Sequence, residues 1–308
     1  MKLVQGALIL EGGGLRGNYT AGVLRLLMER GVYFSYVIGV SIGACNGSNY
    51  VSRQPERNRI VNTRFVGDPR FMSYRRLLRG GELFGMDFIF NTLPNLLVPF
   101  DFKAFRASPQ RFIVTATDCE TGRAVYYDTN RLSDADLLEV LKAGCSLPFL
   151  QKPVCFDGRI LMDGGVADAV PLEKSIAAGN RRHVLVLTQP AGYRKTHRSW
   201  TALIRLRYPR YRGLKRAFHT RARRYNLAMA RIARLEAAGA VFVIRPAVAL
   251  RVKRTEKDGR KLAAIYRRGY GDAADRFAAL KAYMTGAASS REDTDSNPKE
   301  GHAGNAAG

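Results

Sequence analysis

The chain has 308 residues, enough for one α/β domain of about 250 residues and a tail, and its formal charge is +24 at pH 7. It contains no apolar run near the ~18 residues of a membrane-spanning helix and no leader-like start, so we expect a protein that is neither secreted nor membrane-spanning. Its four cysteines lack the spacing of a zinc site or a disulfide framework, which predicts reduced thiols in a cytoplasmic protein, and its charge favours polyanionic partners.

The first fifty residues predict two successive strand–turn–helix units. Residues 3–10 form a short apolar run typical of a buried strand, and residues 20–30 carry apolar side chains at helical spacing up to Gly31. Residues 36–40 predict a second buried strand, and residues 44–51 predict a second helix. Two such units in succession favour a parallel sheet with right-handed crossovers.

Residues 54–105 break this regular pattern. They combine short Arg-rich helical segments with an aromatic stretch that is broken by Pro94 and Pro99. Two interpretations remain open: the segment is a candidate cap over the functional site, or it is an ordinary insertion that packs its aromatic side chains on the core.

The middle of the chain predicts two hairpins and a capped helix. In residues 111–117 and 123–127, β-branched and aromatic residues alternate with others as in strands, and a turn lies between the two segments. Asp157-Gly158 is a second hairpin turn. Ser133 begins a helix that we expect to end near Gly144. Residues 183–188 predict a further apolar strand.

The C-terminal third is strongly basic. From Arg181 to Leu235 there are many Lys and Arg residues and no Asp or Glu. Residues 213–237 predict an amphipathic helix, which we expect to face the core rather than a membrane because its apolar stripe contains alanines and no Trp. Residues 286–308 are small and polar, which predicts a disordered tail.

The sequence Gly39-Val40-Ser41-Ile42-Gly43 has the pattern of a nucleophile elbow. It follows a predicted strand and precedes a predicted helix, as such an elbow requires. Gly39 and Gly43 let the neighbouring backbone pass the strained turn without Cβ clashes. The alternative is that Ser41 only caps the helix. Its position directly after a strand favours the nucleophile.

The first turn carries a glycine-rich loop made of Gly12, Gly13, Gly14, Leu15, Arg16 and Gly17. Its backbone N–H groups can approach an anion closely, so we predict an oxyanion hole. The same spacing fits a dinucleotide-binding loop, but the second strand ends at Ser41 instead of the acidic residue that such a site uses. Arg16 indicates a nearby anion, unless it is a solvated surface residue.

An attacking serine needs a base. None of the four histidines lies in a recognisable catalytic setting; they are His183, His197, His219 and His302. Asp163 directly follows a short predicted strand, and Gly164 and Gly165 after it keep its approach open. Asp163 is therefore either the proton acceptor of Ser41 or an ordinary turn aspartate.

Three motifs in chain order, G-G-G-L-R-G, G-V-S-I-G and D-G-G, resemble those of the patatin-like phospholipase family, in particular its small bacterial branch. Leu147-Pro148-Phe149 is also similar to this family. The resemblance covers residues 5 to about 195. It implies a Ser41–Asp163 dyad without histidine, an oxyanion hole at the glycine-rich loop and a three-layer α/β/α sandwich with a mainly parallel central sheet.

The resemblance, together with the composition of the C-terminal third, suggests a domain organisation. Residues 1–195 are the expected catalytic core, residues 196–285 a basic, mostly helical region that completes or packs on the core, and residues 286–308 the tail. No cofactor is expected, and no metal site, because no carboxylate cluster forms a calcium loop.

The expected function is a cytoplasmic serine acyl hydrolase, a lipase or phospholipase A-type esterase, that cleaves lipid ester bonds. Residues 194–234 are expected to bind an anionic membrane at its inner face. One alternative is a protein that binds nucleic acid or anionic membrane on an inactive hydrolase scaffold, although no nucleic-acid-binding motif supports it. The other is a hydrolase or acyltransferase of soluble esters or lipid-linked acyl groups with the same dyad.

Overall fold

The computed structural model describes residues 3–196 and 201–286. Apart from Gly286, the predicted tail at 286–308 lies outside the described residues, as do His197 and His302. Among the described helices, none combines the length and the apolar composition needed to cross a bilayer.

The described part of the chain forms a mixed sheet of eight strands. They are β1 (Val4–Leu10), β2 (Phe34–Val40), β3 (Arg111–Asp118), β4 (Ala124–Asp128), β5 (Val154–Phe156), β6 (Arg159–Asp163), β7 (His183–Val186) and β8 (Phe242–Ile244). Successive strands pair in the order β5-β6-β3-β2-β1-β7-β8. Strands β6 and β2 pair with consecutive parts of the same edge of β3, and β4 pairs with its other edge. The five strands from β3 to β8 in this order pair in parallel, whereas β4, β5 and β6 are joined by antiparallel pairing.

Helices cover both faces of the sheet. They are α1 (Asn18–Glu29), α2 (Ile42–Val51), α3 (Arg57–Arg64), α4 (Tyr74–Leu78), α5 (Phe102–Ala107), α6 (Asp134–Gly144), α7 (Leu172–Ala177), α8 (Thr201–Arg207), α9 (Arg212–Ala237), α10 (Gly259–Asp275) and α11 (Phe277–Thr285). Three short 3-10 turns, Gly14–Gly17, Thr129–Arg131 and Gly164–Val166, and a π-helix, Phe88–Leu97, complete the described elements.

The apolar run of β1 is buried on both sides, which explains why it does not alternate. Leu8 and Leu10 pack into a core cluster with side chains from α1, α2, α6 and α10. Ala7 and Ile9 pack on the opposite face with side chains from α7 and α9. The three-layer α/β/α class predicted from the sequence is confirmed.

The two predicted strand–turn–helix units are confirmed as β1–α1 and β2–α2. Gly31 adopts a φ of 64° after α1, the left-handed geometry expected of a residue that ends a helix. Both hairpins form, and the Ser133 hydroxyl accepts the N–H of Asp136 at the start of α6. Pro94, in contrast, does not break the helix around it. It lies inside the π-helix, and the chain leaves that helix after Leu97.

The C-terminal region is joined to the core by a close helix crossing. A Cβ on Gly22 of α1 would lie 2.0 Å from the carbonyl oxygen of Tyr266, and a Cβ on Gly269 of α10 would lie 2.0 Å from that of Tyr19. Only glycine permits this approach. The same region adds β8 to the edge of the sheet, so residues beyond 201 share one core with the N-terminal strands.

Candidate active site

Ser41 occupies a strained turn between β2 and α2. Its φ is 55° and its ψ is −131°, a conformation that costs a non-glycine residue about 1–3 kcal/mol. A Cβ on Gly39 would lie 2.5 Å from the Cα of Ala44, and one on Gly43 would lie 2.5 Å from the carbonyl oxygen of Leu10. Ser41 occupies the N-cap position of α2, but its side chain makes no capping hydrogen bond to the helix.

Strand β3 brings Asp163 to Ser41. Thr115 of β3 pairs with Val40, the last residue of β2, and the next residue, Ala116, pairs with Asp163, the last residue of β6. Strand β4 pairs with the other edge of β3 at both residues, so β2 and β6 lie on the same edge. They lie end to end along that edge, and their last residues are neighbours. The predicted nucleophile and the predicted base therefore meet at the carboxyl end of β2.

The Asp163 carboxyl is buried and only partly hydrogen-bonded. Its exposed fraction is 1%. Its Oδ1 accepts the N–H of Gly165 at 2.8 Å, whereas its Oδ2 has no hydrogen-bond partner of ordinary geometry among the described residues. Burial raises the pKa of Asp163, and the nearby Ser41 hydroxyl and Arg221 offset part of that rise. A raised pKa makes this carboxylate a stronger base than an ordinary aspartate.

The glycine-rich loop lies against Ser41. A Cβ on Gly12 would lie 3.0 Å from the Cβ of Ser41, and Gly14 adopts a φ of 58°. Within the described residues, the N–H groups of Gly13 and Gly14 have no hydrogen-bond partner. The N–H of Leu15, in contrast, donates to the carbonyl oxygen of Arg254 at 3.0 Å. Gly13 and Gly14 are thus better placed than Leu15 to receive an oxyanion.

The remaining motif glycines hold the site together by close packing. A Cβ on Gly17 would lie 2.4 Å from the Ile42 side chain, and one on Gly164 would lie 2.3 Å from the carbonyl oxygen of Thr115. Gly17 and Gly164 therefore fix the glycine-rich loop and the Asp163 turn against the elbow.

An apolar cavity of about 120 Å³ opens at Ser41. One wall is formed by residues near the elbow and α6, among them Cys45, Leu141 and Cys145. The other wall comes from the segment 54–105 and includes Phe71, Ile89, Phe90, Pro94 and Phe100. This segment therefore forms part of the wall of the apolar cavity at Ser41.

A second, smaller pocket is bordered by Ser41, Asp163 and the glycine-rich loop, and part of its wall is basic. The sequence interpretation singled out only Arg16 of this wall. It missed Lys195, Arg221 and Arg254, because a run of similar basic residues carries no signal for the few that face inward. It also missed Glu11 and Tyr225, which come together only in the fold.

The described histidines lie away from the dyad. His183 pairs with Ala7 at the start of the parallel strands, the end opposite to Ser41, and its Nδ1 lies 3.0 Å from the Ser175 hydroxyl. His219 is exposed on α9. Among the described residues, no group of His, Cys, Asp and Glu side chains is arranged to hold a metal ion.

Residues 8–176 match the family model of the patatin-like phospholipases, which accounts for more than half of the chain. The chain belongs to the patatin-like phospholipase family. The family resemblance predicted from the three motifs is thereby confirmed. Residues 211–285 of this patatin-like protein match a second model, a domain of unknown function (DUF6363).

Several patatin-like relatives share moderate identity with the chain. The uncharacterized protein YjjU of Escherichia coli is 28% identical over 60% of this chain and 52% of its own length. Lysophospholipase nte1 of Aspergillus terreus is 29% identical over 56% of this chain and 11% of its own. Patatin-like phospholipase domain-containing protein 7 of Mus musculus is 28% identical over 56% and 13%. The chain thus spans about half of YjjU and a small part of the other two.

Among solved structures, VipD of Legionella pneumophila is similar to this patatin-like protein with a TM-score of 0.45 and 12% identity, covering 90% of this chain and 67% of VipD.

Proposed function

We propose that this patatin-like protein hydrolyses lipid acyl esters, with Ser41 as nucleophile and Asp163 as proton acceptor. The observation that supports this most directly is the strained Ser41 next to a buried carboxyl whose Oδ2 lacks a hydrogen-bond partner of ordinary geometry among the described residues. Strain at one serine is expected where function requires the hydroxyl to be held outward.

In the first half of the reaction, the Ser41 oxygen attacks the ester carbonyl carbon while its proton passes to Asp163. The N–H groups of Gly13 and Gly14 donate to the oxyanion of the tetrahedral intermediate, and loss of one such donor typically costs about 3 kcal/mol of transition-state stabilisation. The carbon–oxygen bond to the alcohol then breaks, and the alcohol leaves with the proton from Asp163.

In the second half, water attacks the acyl-serine and gives its proton to Asp163. The bond to the Ser41 oxygen breaks, Ser41 recovers the proton, and a free carboxylic acid leaves. An acyltransferase would use the same two residues with an alcohol in place of water. Product analysis distinguishes the two reactions, because only hydrolysis releases the free acid.

We assign the segment 54–105 as a cap that encloses the acyl chain, since it supplies one wall of the apolar cavity at Ser41. Residues 194–234 are our candidate for peripheral contact with an anionic membrane. The apolar face of α9 is buried, with Leu214, Tyr225 and Ile232 turned inward. Contact with a membrane would therefore be electrostatic and would not require α9 to insert.

The first test of the proposed function is labelling by a fluorophosphonate probe, which reacts with activated serines. Wild type is expected to label, whereas Ser41→Ala is expected to lose labelling completely. Asp163→Asn is expected to slow labelling by about 10²-fold or more, because proton transfer by a positioned base contributes about 10²–10⁴-fold.

The matched control is Ser48→Ala. Ser48 lines the same cavity, but its hydroxyl donates to the Cys45 carbonyl oxygen at 2.9 Å and is not part of the dyad. This variant is expected to label like wild type, and circular dichroism shows whether each variant is folded. Labelling that survives Ser41→Ala would mean that another residue is the nucleophile.

A further inference from the structure

The second pocket beside the dyad gathers four positive side chains, and we call it the cationic pocket. They are Arg16, Lys195, Arg221 and Arg254. All four are partly buried. They come from the glycine-rich loop, the segment after β7, α9 and the loop that precedes α10. The fold thus brings together cations that lie far apart in the sequence.

The four cations outnumber the acidic side chains at the pocket, which are Glu11 and Asp163. Glu11 borders the pocket, but its Oε2 accepts from the N–H of Thr188 at 2.6 Å and its Oε1 accepts from the hydroxyl of Tyr225 at 2.9 Å. Within the part of the chain that the structure describes, no carboxylate oxygen lies within 4.0 Å of a nitrogen of the four cations. Asp163, the other acid at the pocket, is the base of the proposed reaction.

Three of the four cations keep donors free, whereas Arg16 donates to the Gly13 carbonyl oxygen and to the Gln189 side-chain oxygen. Arg221 donates its Nε to the carbonyl oxygen of Gly165 at 2.7 Å, and its two terminal nitrogens have no partner among the described residues. The Nζ of Lys195 lies 3.8 Å from the centre of the Tyr225 ring. The Arg254 side chain donates no hydrogen bond to any described residue. These N–H groups therefore remain available to a ligand.

Such a cluster is unfavourable unless an anion occupies it. Burial, followed by the neighbouring Arg221 and Arg254, lowers the pKa of Lys195 to about 7, although Glu11 raises it in part. Burial, with Arg254 next to it, likewise lowers the pKa of Arg221 to about 10. Buried charges in proteins are normally paired, and guanidinium groups bind phosphate through charge-assisted, often bidentate, hydrogen bonds.

We infer that the cationic pocket binds a phosphate group on the alcohol side of the ester, so that Ser41 attacks a carbonyl held between this phosphate and an acyl chain in the apolar cavity. This inference rests on the proposed function for the position of the ester, but the phosphate site itself does not. The pocket volume of about 30 Å³ suits a group of a few heavy atoms and not a second alkyl chain.

The inference gives the C-terminal region a role. Lys195, Arg221 and Arg254 lie outside residues 8–176, and Arg221 and Arg254 lie within the domain of unknown function at 211–285. This domain therefore selects the substrate's head group. The excess of cations over acids at the pocket favours esters whose head group is net negative, such as glycerophosphate or phosphoglycerol, over head groups that carry a quaternary ammonium.

The test that does not depend on catalysis is calorimetric binding to the Ser41→Ala protein. The probes are glycerophosphoglycerol, a non-hydrolysable mimic of an anionic head group, and inorganic phosphate. We expect glycerophosphoglycerol to bind at least tenfold more tightly than inorganic phosphate. Arg254→Gln and Arg221→Gln, each in the Ser41→Ala background, are each expected to weaken that binding at least tenfold. Arg223→Gln, an exposed position on the same helix as Arg221, is expected to leave it unchanged.

Two results would overturn the inference. If inorganic phosphate binds as tightly as glycerophosphoglycerol, the pocket is a site for free phosphate and not for a head group. If Arg254→Gln and Arg223→Gln bind alike, the cationic pocket is not the site. Failure of fluorophosphonate labelling with intact, Arg254-dependent binding would instead remove the proposed hydrolase activity and leave the phosphate site standing.

On the active enzyme, the readout is the ratio of kcat/KM for monomeric lysophosphatidylglycerol to kcat/KM for an uncharged monoacylglycerol of the same chain length. Arg254→Gln is expected to lower this ratio at least tenfold, whereas Arg223→Gln keeps it. An unchanged ratio in Arg254→Gln would show that the phosphate is bound elsewhere.

Discussion

At the residue scale, each member of the proposed dyad is held in an energetically unfavourable state. Ser41 is held in strained backbone geometry, and Asp163 is held where burial disfavours its charge. Neither arrangement stabilises the fold by itself. Both are expected at a site where the surrounding structure, and not the local sequence, maintains a reactive conformation.

The pKa of Asp163 leads to a prediction about stability. Burial raises the pKa of this carboxyl in the folded protein above its unfolded value, so the folded state favours the protonated form. Its contribution to stability is present below the unfolded pKa and is lost as the pH rises through the folded pKa. Asp163→Asn is therefore expected to raise the free energy of unfolding at pH 7, by about 1.4 kcal/mol per pKa unit of the rise, and to give no gain below about pH 4.

Asp118 provides a control, because its replacement by Asn is expected to change the free energy of unfolding in the opposite direction. Although it is partly desolvated, the N–H groups of Thr121 and Glu120 and the Arg159 guanidinium outweigh that effect and lower the pKa of Asp118. Its stabilisation is present at pH 7 and is lost on acidification, so Asp118→Asn is expected to lower the free energy of unfolding at pH 7. Urea unfolding at pH 4 and pH 7 measures both. A loss of stability in Asp163→Asn at pH 7 would contradict the account given for Asp163.

At the scale of elements, the π-helix supplies part of the wall that the segment 54–105 forms at the apolar cavity. Ile89, Phe90 and Pro94 of this helix line the cavity, while Leu96 on the same helix is 74% exposed. The buried guanidinium of Arg57 holds α3 to the chain that follows the π-helix, because its Nε donates to the Val98 carbonyl oxygen at 3.0 Å.

This arrangement predicts which chain lengths are accepted. Ile89→Trp places a larger side chain in the cavity and is expected to lower kcat/KM for long-chain esters at least tenfold, while short esters that do not reach Ile89 are affected less. Leu96→Trp changes an exposed position on the same helix and is expected to keep the wild-type preference. The measurement is a series of p-nitrophenyl esters of increasing length. Equal effects of both variants on all lengths would remove the segment 54–105 from the acyl site.

At the scale of the whole molecule, the formal charge of +24 exceeds what the cationic pocket accounts for. Many arginines are exposed, and three of them, Arg210, Arg212 and Arg216, lie on the first turns of α9 or just before it. Each Lys or Arg near an anionic bilayer adds about 1 kcal/mol of attraction, and salt screens that attraction.

We therefore expect the protein to sediment with vesicles that contain phosphatidylglycerol and not with phosphatidylcholine vesicles, and to be released by 0.5 M salt. Replacing Arg210, Arg212 and Arg216 by Gln is expected to weaken this binding about tenfold or more, because it removes three neighbouring positive charges. The control removes the same charge elsewhere, at the exposed Arg79, Arg260 and Arg267. Equal weakening by both triple variants would make the binding non-specific, and preference for duplex DNA over vesicles would favour the nucleic-acid alternative.

The sequence by itself determined the features that are encoded by neighbouring residues. The elbow at Ser41, the glycine-rich loop, the two hairpins and the Ser133 cap all follow from contacts within a few residues, so local patterns were sufficient to predict them. The family and the three-layer class followed from three such motifs in a fixed order.

The tertiary structure decided which distant residues meet. Ser41 and Asp163 come together only because β2 and β6 lie end to end along one edge of β3. This register depends on pairing across the whole sheet. In the same way, the sequence shows that Arg221 and Arg254 lie among many arginines, but only the packing of α9 and of the loop before α10 turns these two inward. Composition fixes the total charge, whereas long-range packing fixes where a charge is left without a partner.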